Sequence, residues 1–231
     1  MPLQQIFPRV YEFANGIVNE WFIQDDDGWT LFDTGYPNQT QKILDAFTAF
    51  GQNPSDIKRI VLTHTHPDHA GGLAEIKKIT GAPAYMHPID ARVVRGQVPM
   101  THSTPSPDIL NKILYRIFIK KSPVIVPRAE IEYEINDGDV LPIGGGLRVI
   151  HAPGHSMGHC AFLLERDGGL LFAGDACSNV MGLAPSIVYD DHAEGRRSLQ
   201  KLARINFDAA CFGHGKVLRG SHAKKFSQKW R

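Results

Sequence analysis

Apolar and polar residues alternate along the opening of this chain in the two-residue rhythm of strands, then shift to helical spacing and back. Arg9-Val10-Tyr11-Glu12-Phe13, Ile17-Val18-Asn19-Glu20-Trp21-Phe22-Ile23 and Trp29-Thr30-Leu31-Phe32-Asp33 read as antiparallel strands, with turns at Asn15-Gly16 and Asp25-Asp26-Asp27-Gly28. Residues 39–50 place Ile43, Leu44, Phe47 and Phe50 on one helical face, ended by Gly51, and that face should pack on a sheet. Ile60-Val61-Leu62 marks a buried strand over 59–63. Leu73, Ile76 and Ile79 mark a helix stopping at Gly81, and Ala84-Tyr85-Met86-His87 is a short strand.

The rhythm breaks over 96–128. Gly96 to Pro107 contains Pro99, Pro105 and Pro107 and should be irregular. Residues 108–121 then carry Ile109, Leu110, Ile113, Leu114, Ile117 and Phe118 at helical spacing, with Lys112, Arg116, Lys120 and Lys121 between them, until Pro123 and Pro127 stop the helix. Four readings are open: core packing, a contact between two copies of the chain, a lid over an active site, or a membrane-surface helix. His102 and Phe118 are the lid residues that would meet a ligand. Strands resume at 131–135, 147–151, 160–165 and 170–173, followed by a helix over 193–204, a strand over 207–212 and a basic terminal helix over 221–231. Two strand-rich halves, each with flanking helices, point to an α/β fold: a four-layer αββα sandwich of two mixed sheets. No linker divides the chain, so 1–231 reads as one domain with 96–128 as a lid insertion.

Composition narrows the partners. The chain has 231 residues, 42% hydrophobic and 21% charged, with a formal net charge of +1, so no global field attracts nucleic acid or an anionic membrane. No apolar run approaches the ~18 residues of a membrane helix, and the start lacks the pattern of a signal peptide. The three cysteines, Cys160, Cys177 and Cys211, cannot all pair and show no C-x-x-C spacing, which suits a reducing compartment, and the cytoplasm is the expected location.

The chemistry concentrates in Thr63-His64-Thr65-His66-Pro67-Asp68-His69, directly after the buried strand and before Ala70-Gly71-Gly72-Leu73. His64 and His66 project to one side of extended backbone, while Asp68 and His69 stand where a helix begins. Imidazole and carboxylate without thiolate suit zinc, iron or manganese in a reactive site rather than a closed structural one. Three further places end an apolar strand in a glycine turn that presents a ligand-type side chain: Pro153-Gly154-His155-Ser156, Gly174-Asp175 and Gly213-His214-Gly215. Asp33, in Asp33-Thr34-Gly35, is open to two readings, an Asx turn or helix cap and a partner for a ligand imidazole. Cys177, two residues past Asp175, reads as a small packed hydrophobe. His87, His151, His159, His192 and His222 read as surface or supporting histidines.

The H-x-H-x-D-H motif and the three later motifs, in order and type, resemble the metallo-β-lactamase superfamily over nearly the whole chain. The resemblance implies the αββα fold and a dinuclear site. One metal would be held by His64, His66 and His155, the other by Asp68, His69 and His214, with Asp175 bridging and Asp33 beneath the cluster. It also implies two divalent ions, zinc first with iron or manganese compatible, and a bridging hydroxide that attacks a substrate carbonyl, with Asp68 moving the proton. Within the superfamily, secreted β-lactamases carry signal peptides, glyoxalase II adds a helical substrate domain, and nucleases add inserted modules. Lactonases fit best, although they typically carry a tyrosine three residues past the bridging aspartate, where Ser178 stands here; Tyr189 is a second candidate substrate contact. The expected reaction is therefore hydrolysis of a small lactone, ester or thioester, lactone first, by a monomer or homodimer. The alternatives are a mononuclear iron enzyme resembling persulfide dioxygenases, against which Ala176-Cys177-Ser178-Asn179-Val180 counts, and β-lactam or phosphodiester hydrolysis.

Overall fold

The structure is a computed structural model that describes residues 2–101, 103–120 and 125–231, without the side chains of Leu110, Phe118, Ser221 and His222. The first half runs β1 (Gln4–Phe7), β2 (Val10–Asn15), β3 (Val18–Asp25), β4 (Gly28–Phe32), α1 (Thr40–Ala49), β5 (Ile57–Val61), α2 (Pro67–Ala70), α3 (Leu73–Thr80), β6 (Ala84–Met86) and α4 (Pro88–Val94). The insertion holds β7 (Thr104–Pro105) and α5 (Ile109–Leu114), which widens into a π-helical turn over Tyr115–Ile119. Next come β8 (Tyr133–Glu134), β9 (Val140–Leu141), β10 (Leu147–His151), β11 (Cys160–Leu164) and β12 (Leu170–Phe172). The last part holds β13 (Cys177–Ser178), β14 (Ala184–Pro185), β15 (Val188–Tyr189), α6 (His192–Leu202), β16 (Ala209–Cys211), β17 (Leu218–Arg219) and α7 (Ser221–Trp230).

One sheet has the order β1-β2-β3-β4-β5-β6-β8, antiparallel as far as β4 and parallel beyond it. The other has the order β17-β16-β12-β11-β10-β9, antiparallel except where β12 meets β16. Alternation along each strand explains the layers. Trp21, Ile23 and Phe32 face Val149, Phe162 and Phe172 of the second sheet, with the Phe32 ring stacked on Phe172 at 4.7 Å and edge-on to Phe162 at 5.3 Å. Phe22, Leu31 and Ile60 face outward onto Ile43 and Phe47 of α1 and Ile76 of α3. On the far side Leu163, Leu171 and Ala210 meet Leu199 and Leu202 of α6 and Phe226 of α7. This is the expected αββα sandwich. Each large side chain in these layers contributes about 1.5–3 kcal/mol by burial.

Several elements depart from expectation. Strand 131–135 shrinks to two exposed residues and strand 207–212 to three buried ones. Phe50 lies past the end of α1 and is exposed, with its ring against Tyr11 and Trp29. Along the helix that begins at Ile109, the edge formed by Ile109, Ile113 and Ile117, spaced four apart, is 78%, 49% and 62% exposed, while Leu114 and Ile119 are half-buried.

Candidate metal centre

Every sequence-selected ligand converges on one edge of the sandwich. After β5 the chain stays extended through His66, whose ψ of 153° hands over to Pro67 in the first turn of α2. His64 Nε2, His66 Nδ1 and His155 Nε2 lie 3.2, 2.8 and 3.2 Å apart in pairs. Their other ring nitrogens all meet acceptors or hydroxyls: Nδ1 of His64 meets Thr63 Oγ at 2.9 Å, Nδ1 of His155 meets the Val188 carbonyl at 2.8 Å, and Nε2 of His66 meets Ser103 Oγ at 3.4 Å. Thr63 spends its own proton on Asp33, so it accepts from His64. The three inner nitrogens are then bare lone pairs pointing at one another, an arrangement that a cation relieves. Tetrahedral bonds of about 2.0–2.1 Å to zinc would set such nitrogens about 3.3 Å apart, close to the spacings found. Burial, followed by the neighbouring imidazoles, holds the pKa of His64 and His155 well below the usual histidine range, so both rings are neutral, the form a metal takes.

The second group carries charge. His214 Nε2 lies 3.3 Å from Asp68 Oδ2 and 3.1 Å from Asp175 Oδ2, and His69 Nε2 lies 3.7 Å from Asp68 and 3.6 Å from Asp175 Oδ1. Asp175 Oδ2 is also 3.5 Å from His155 Nε2, so this one carboxylate borders both groups. Burial alone would strip the proton from His69, but Asp68, Asp175 and Asp33 outweigh it and push its pKa up to about 9. Burial likewise opposes ionisation of Asp175, yet His214 and His69 hold its carboxyl well below the usual range. His69 Nε2 and Asp175 Oδ1 are buried without a hydrogen-bond partner, and a Cβ on Gly213 would stand 2.1 Å from Asp175 Oδ1. Orphaned donor atoms in a cradle that only glycine leaves open fit bound metal.

Supporting residues explain the precision. Asp33, left-handed at φ 57°, places Oδ2 at 2.8 Å from His69 Nδ1 and accepts from the Thr63 backbone and hydroxyl. His214 Nδ1 is held by the Ile17 carbonyl at 2.7 Å. Sequence reasoning missed two residues here, Asp90 and Asn19, and placed a third, His159, only among the surface or supporting histidines. Asp90 is buried and accepts from Thr65 N, Ser156 Oγ and Gly158 N, clipping the His64–His66 loop to the His155 loop. Asn19 donates to the Phe212 and Gly215 carbonyls, fixing the His214 turn across the two sheets. His159, fully buried and with its pKa pushed down to about 3 by that burial, accepts the Asp175 N–H at Nε2. Only Asp90 carried a signal, as an acid two residues past the proline that opens a short helix; the other two needed the fold.

The remaining candidates separate. Tyr189 is 3% exposed, and its hydroxyl donates to the Ala176 carbonyl and accepts from Ser186 N, so it braces the loop edge-on to His155 instead of meeting a ligand. Ser178 is partly exposed on β13, opposite Ala184. Cys177 is buried in the outer core with its thiol pKa pushed up by burial. The Phe118 side chain and His102 lie outside the described residues.

The sequence matches the Lactamase_B family, the metallo-beta-lactamase superfamily, over residues 14–214. The chain belongs to the metallo-beta-lactamase superfamily. As a member it is a metal-dependent hydrolase. It is 29% identical over 230 residues to a probable metallo-hydrolase, YflN, of Bacillus subtilis, covering 89% of this chain and 83% of that one. It is 26% identical to the atrochrysone carboxyl ACP thioesterase dmxR1 of a Cryptosporiopsis species, covering 99% of this chain but only 62% of that protein. Among solved structures the MIM-2 metallo-beta-lactamase superposes with a TM-score of 0.76 at 20% identity, covering 99% of this chain and 87% of that one, a likeness of fold. Among the described residues no helix of this superfamily member is long and apolar enough to cross a membrane.

Proposed function

We propose that this chain is a two-metal hydrolase that cleaves the acyl bond of a small lactone, ester or thioester, with lactones first. The supporting observation is Asp175, whose oxygens border His69 of one ligand group and His155 of the other. Two divalent ions, zinc first for this set of imidazoles and carboxylates, would be held by His64, His66 and His155 and by Asp68, His69 and His214, with Asp175 shared. When bound, such ions supply Lewis acidity toward a carbonyl oxygen and a nucleophile from water near neutral pH. Asp68, ionised and about one-fifth exposed at the mouth, takes the proton released from water and returns it to the leaving oxygen or sulfur. His159, Asp33 and Asp90 hold the ligands still, so little reorganisation remains at the moment of reaction.

Similarity to a protein named a thioesterase supports an acyl substrate. A net charge of +1 supports a small-molecule substrate over nucleic acid or a membrane surface, and three buried free cysteines support the cytoplasm. Residues 1–231 are proposed to act as one domain, with 96–128 as its lid or as the contact of a homodimer. The test is elemental metal content of protein purified without chelator, followed by a panel of lactones and thioesters. About two equivalents of metal and turnover on the panel are expected. A single equivalent of iron with oxygen consumption, or two equivalents with no acyl hydrolysis, would overturn the reading.

A further inference from the structure

We infer that Ser103 and Asp190 are positioning residues for His66, so that the insertion, and not the sandwich alone, completes one of the two ligand groups. The inference rests on the two-metal reading above. Four of the five ligand imidazoles are oriented by groups of the sandwich or its edge loops: Thr63 for His64, Asp33 for His69, the Val188 carbonyl for His155 and the Ile17 carbonyl for His214. His66 is the exception. Its Nε2 meets Ser103 Oγ at 3.4 Å, and Ser103 belongs to the proline-rich stretch between α4 and α5.

The proton count gives this contact a direction. Asp190 Oδ1 lies 2.8 Å from Ser103 Oγ and Asp190 Oδ2 lies 2.5 Å from Thr101 Oγ1, so the two carboxylate oxygens accept hydrogen bonds from both hydroxyls. Ser103 is then left with lone pairs only, and it accepts from His66 Nε2–H. That fixes the tautomer in which His66 Nδ1 is bare, the atom that points at His64 and His155. The backbone N–H of Asp190 donates to the Gly154 carbonyl at 2.7 Å, next to His155, so one residue steadies two ligands of the same group. The stretch is anchored for this task. β7 pairs with β15, Ser106 N donates to Ile187 O, and Ser106 Oγ donates to Ser186 O. Anchored in this way, the stretch reaches a ligand imidazole from outside the sandwich.

The experiment is a zinc titration of metal-stripped full-length protein against a chromophoric chelator, comparing wild type with Ser103→Ala, Asp190→Ala, Ser103→Thr and Ser106→Ala. In Ser103→Ala and Asp190→Ala, one equivalent should weaken by about tenfold or more, the range for lost outer partners of metal ligands, while the other equivalent and the melting temperature of the stripped protein stay unchanged. Ser103→Thr should retain wild-type affinity because the hydroxyl remains. Ser106→Ala removes one hydroxyl bond without touching His66 and leaves the β7–β15 pairing and the Ser106 N–H bond to hold the stretch, so both affinities should stay unchanged. Unaltered affinities in Ser103→Ala, or an equal loss in Ser106→Ala, would overturn the inference. Wild-type protein that binds one equivalent would overturn the two-metal reading instead, and the Ser103→Ala shift would then be read on that equivalent. Wild-type protein that binds no zinc would overturn both.

Discussion

The two ligand groups meet at Asp175 yet are built on opposite electrostatic plans. His64, His66 and His155 are three imidazoles whose inner nitrogens carry only lone pairs, so nothing within that group balances them. Asp68, His69 and His214 contain their own counter-charges, and without metal His69 keeps a proton. The first group therefore depends on a rigid scaffold to hold repelling dipoles together, and the second on ion pairing. Asp90, with three donors, clips the loops of the first group together, while Asp33, the Ile17 carbonyl and Asn19 support the second one ligand at a time.

Substitutions can break this comparison. The largest effect is expected from Asp175→Ala, which removes the group common to both plans. Metal content should fall below two equivalents and turnover should drop by more than the roughly 100-fold reached by outer-partner changes; elemental analysis with initial rates checks it, and unchanged turnover would refute the shared-carboxylate assignment. Asp90→Ala comes next. It orphans two buried N–H groups and a hydroxyl, for a loss of about 3–5 kcal/mol in chemical denaturation of the stripped protein, and it should weaken the uncharged group alone. Equal weakening of both metals would show that the two groups are not separately supported.

Smaller effects sharpen the picture. Asp33→Asn keeps the shape but loses the acceptor for His69 Nδ1–H, and should cost about 10–100-fold in affinity at the charged group and less at the uncharged one, which Asp33 reaches only through Thr63, read by the same zinc titration. The smallest effect is one of pH. His69, with a folded pKa of about 9 against an ordinary 6.5, binds its proton more tightly when folded, so its contribution is full below pH 6.5 and is lost as pH rises through 9. Glu20, fully buried with both oxygens unpartnered, has its pKa pushed up to about 8 by burial and likewise makes the folded state lose stability as pH rises from 4.5 through 8. Stripped protein should therefore melt lower at pH 9 than at pH 6.5, and Glu20→Gln should reduce that slope. A flat profile in the stripped protein would show that the charged group is not self-compensating.

Much of this was legible in the residues. Period-two and helical spacing located most of the sheet strands and the helices α1, α3, α6 and α7, because apolar faces must be buried and each geometry has its own repeat. It missed β1 and the ribbon β7–β15, whose short strands carry too few alternating residues to register, and α4, where His87 and Pro88 open a helix of one apolar stripe. The convergent His and Asp side chains were legible as candidate ligands because strand-ending turns present them in fixed local patterns, four of them within residues 64–69.

What the sequence by itself determined is thus the set of candidate metal ligands that the fold brings together and the layers that bury the strands behind them, both consequences of local spacing. Tertiary structure alone decided how each imidazole is aimed. Asn19 reaches the His214 turn from a distant strand, His159 receives the Asp175 amide, and Ser103 meets His66 across 37 positions of chain. A hydrogen bond between residues far apart in sequence leaves no periodicity, because its geometry exists only once the two sheets and the insertion have packed.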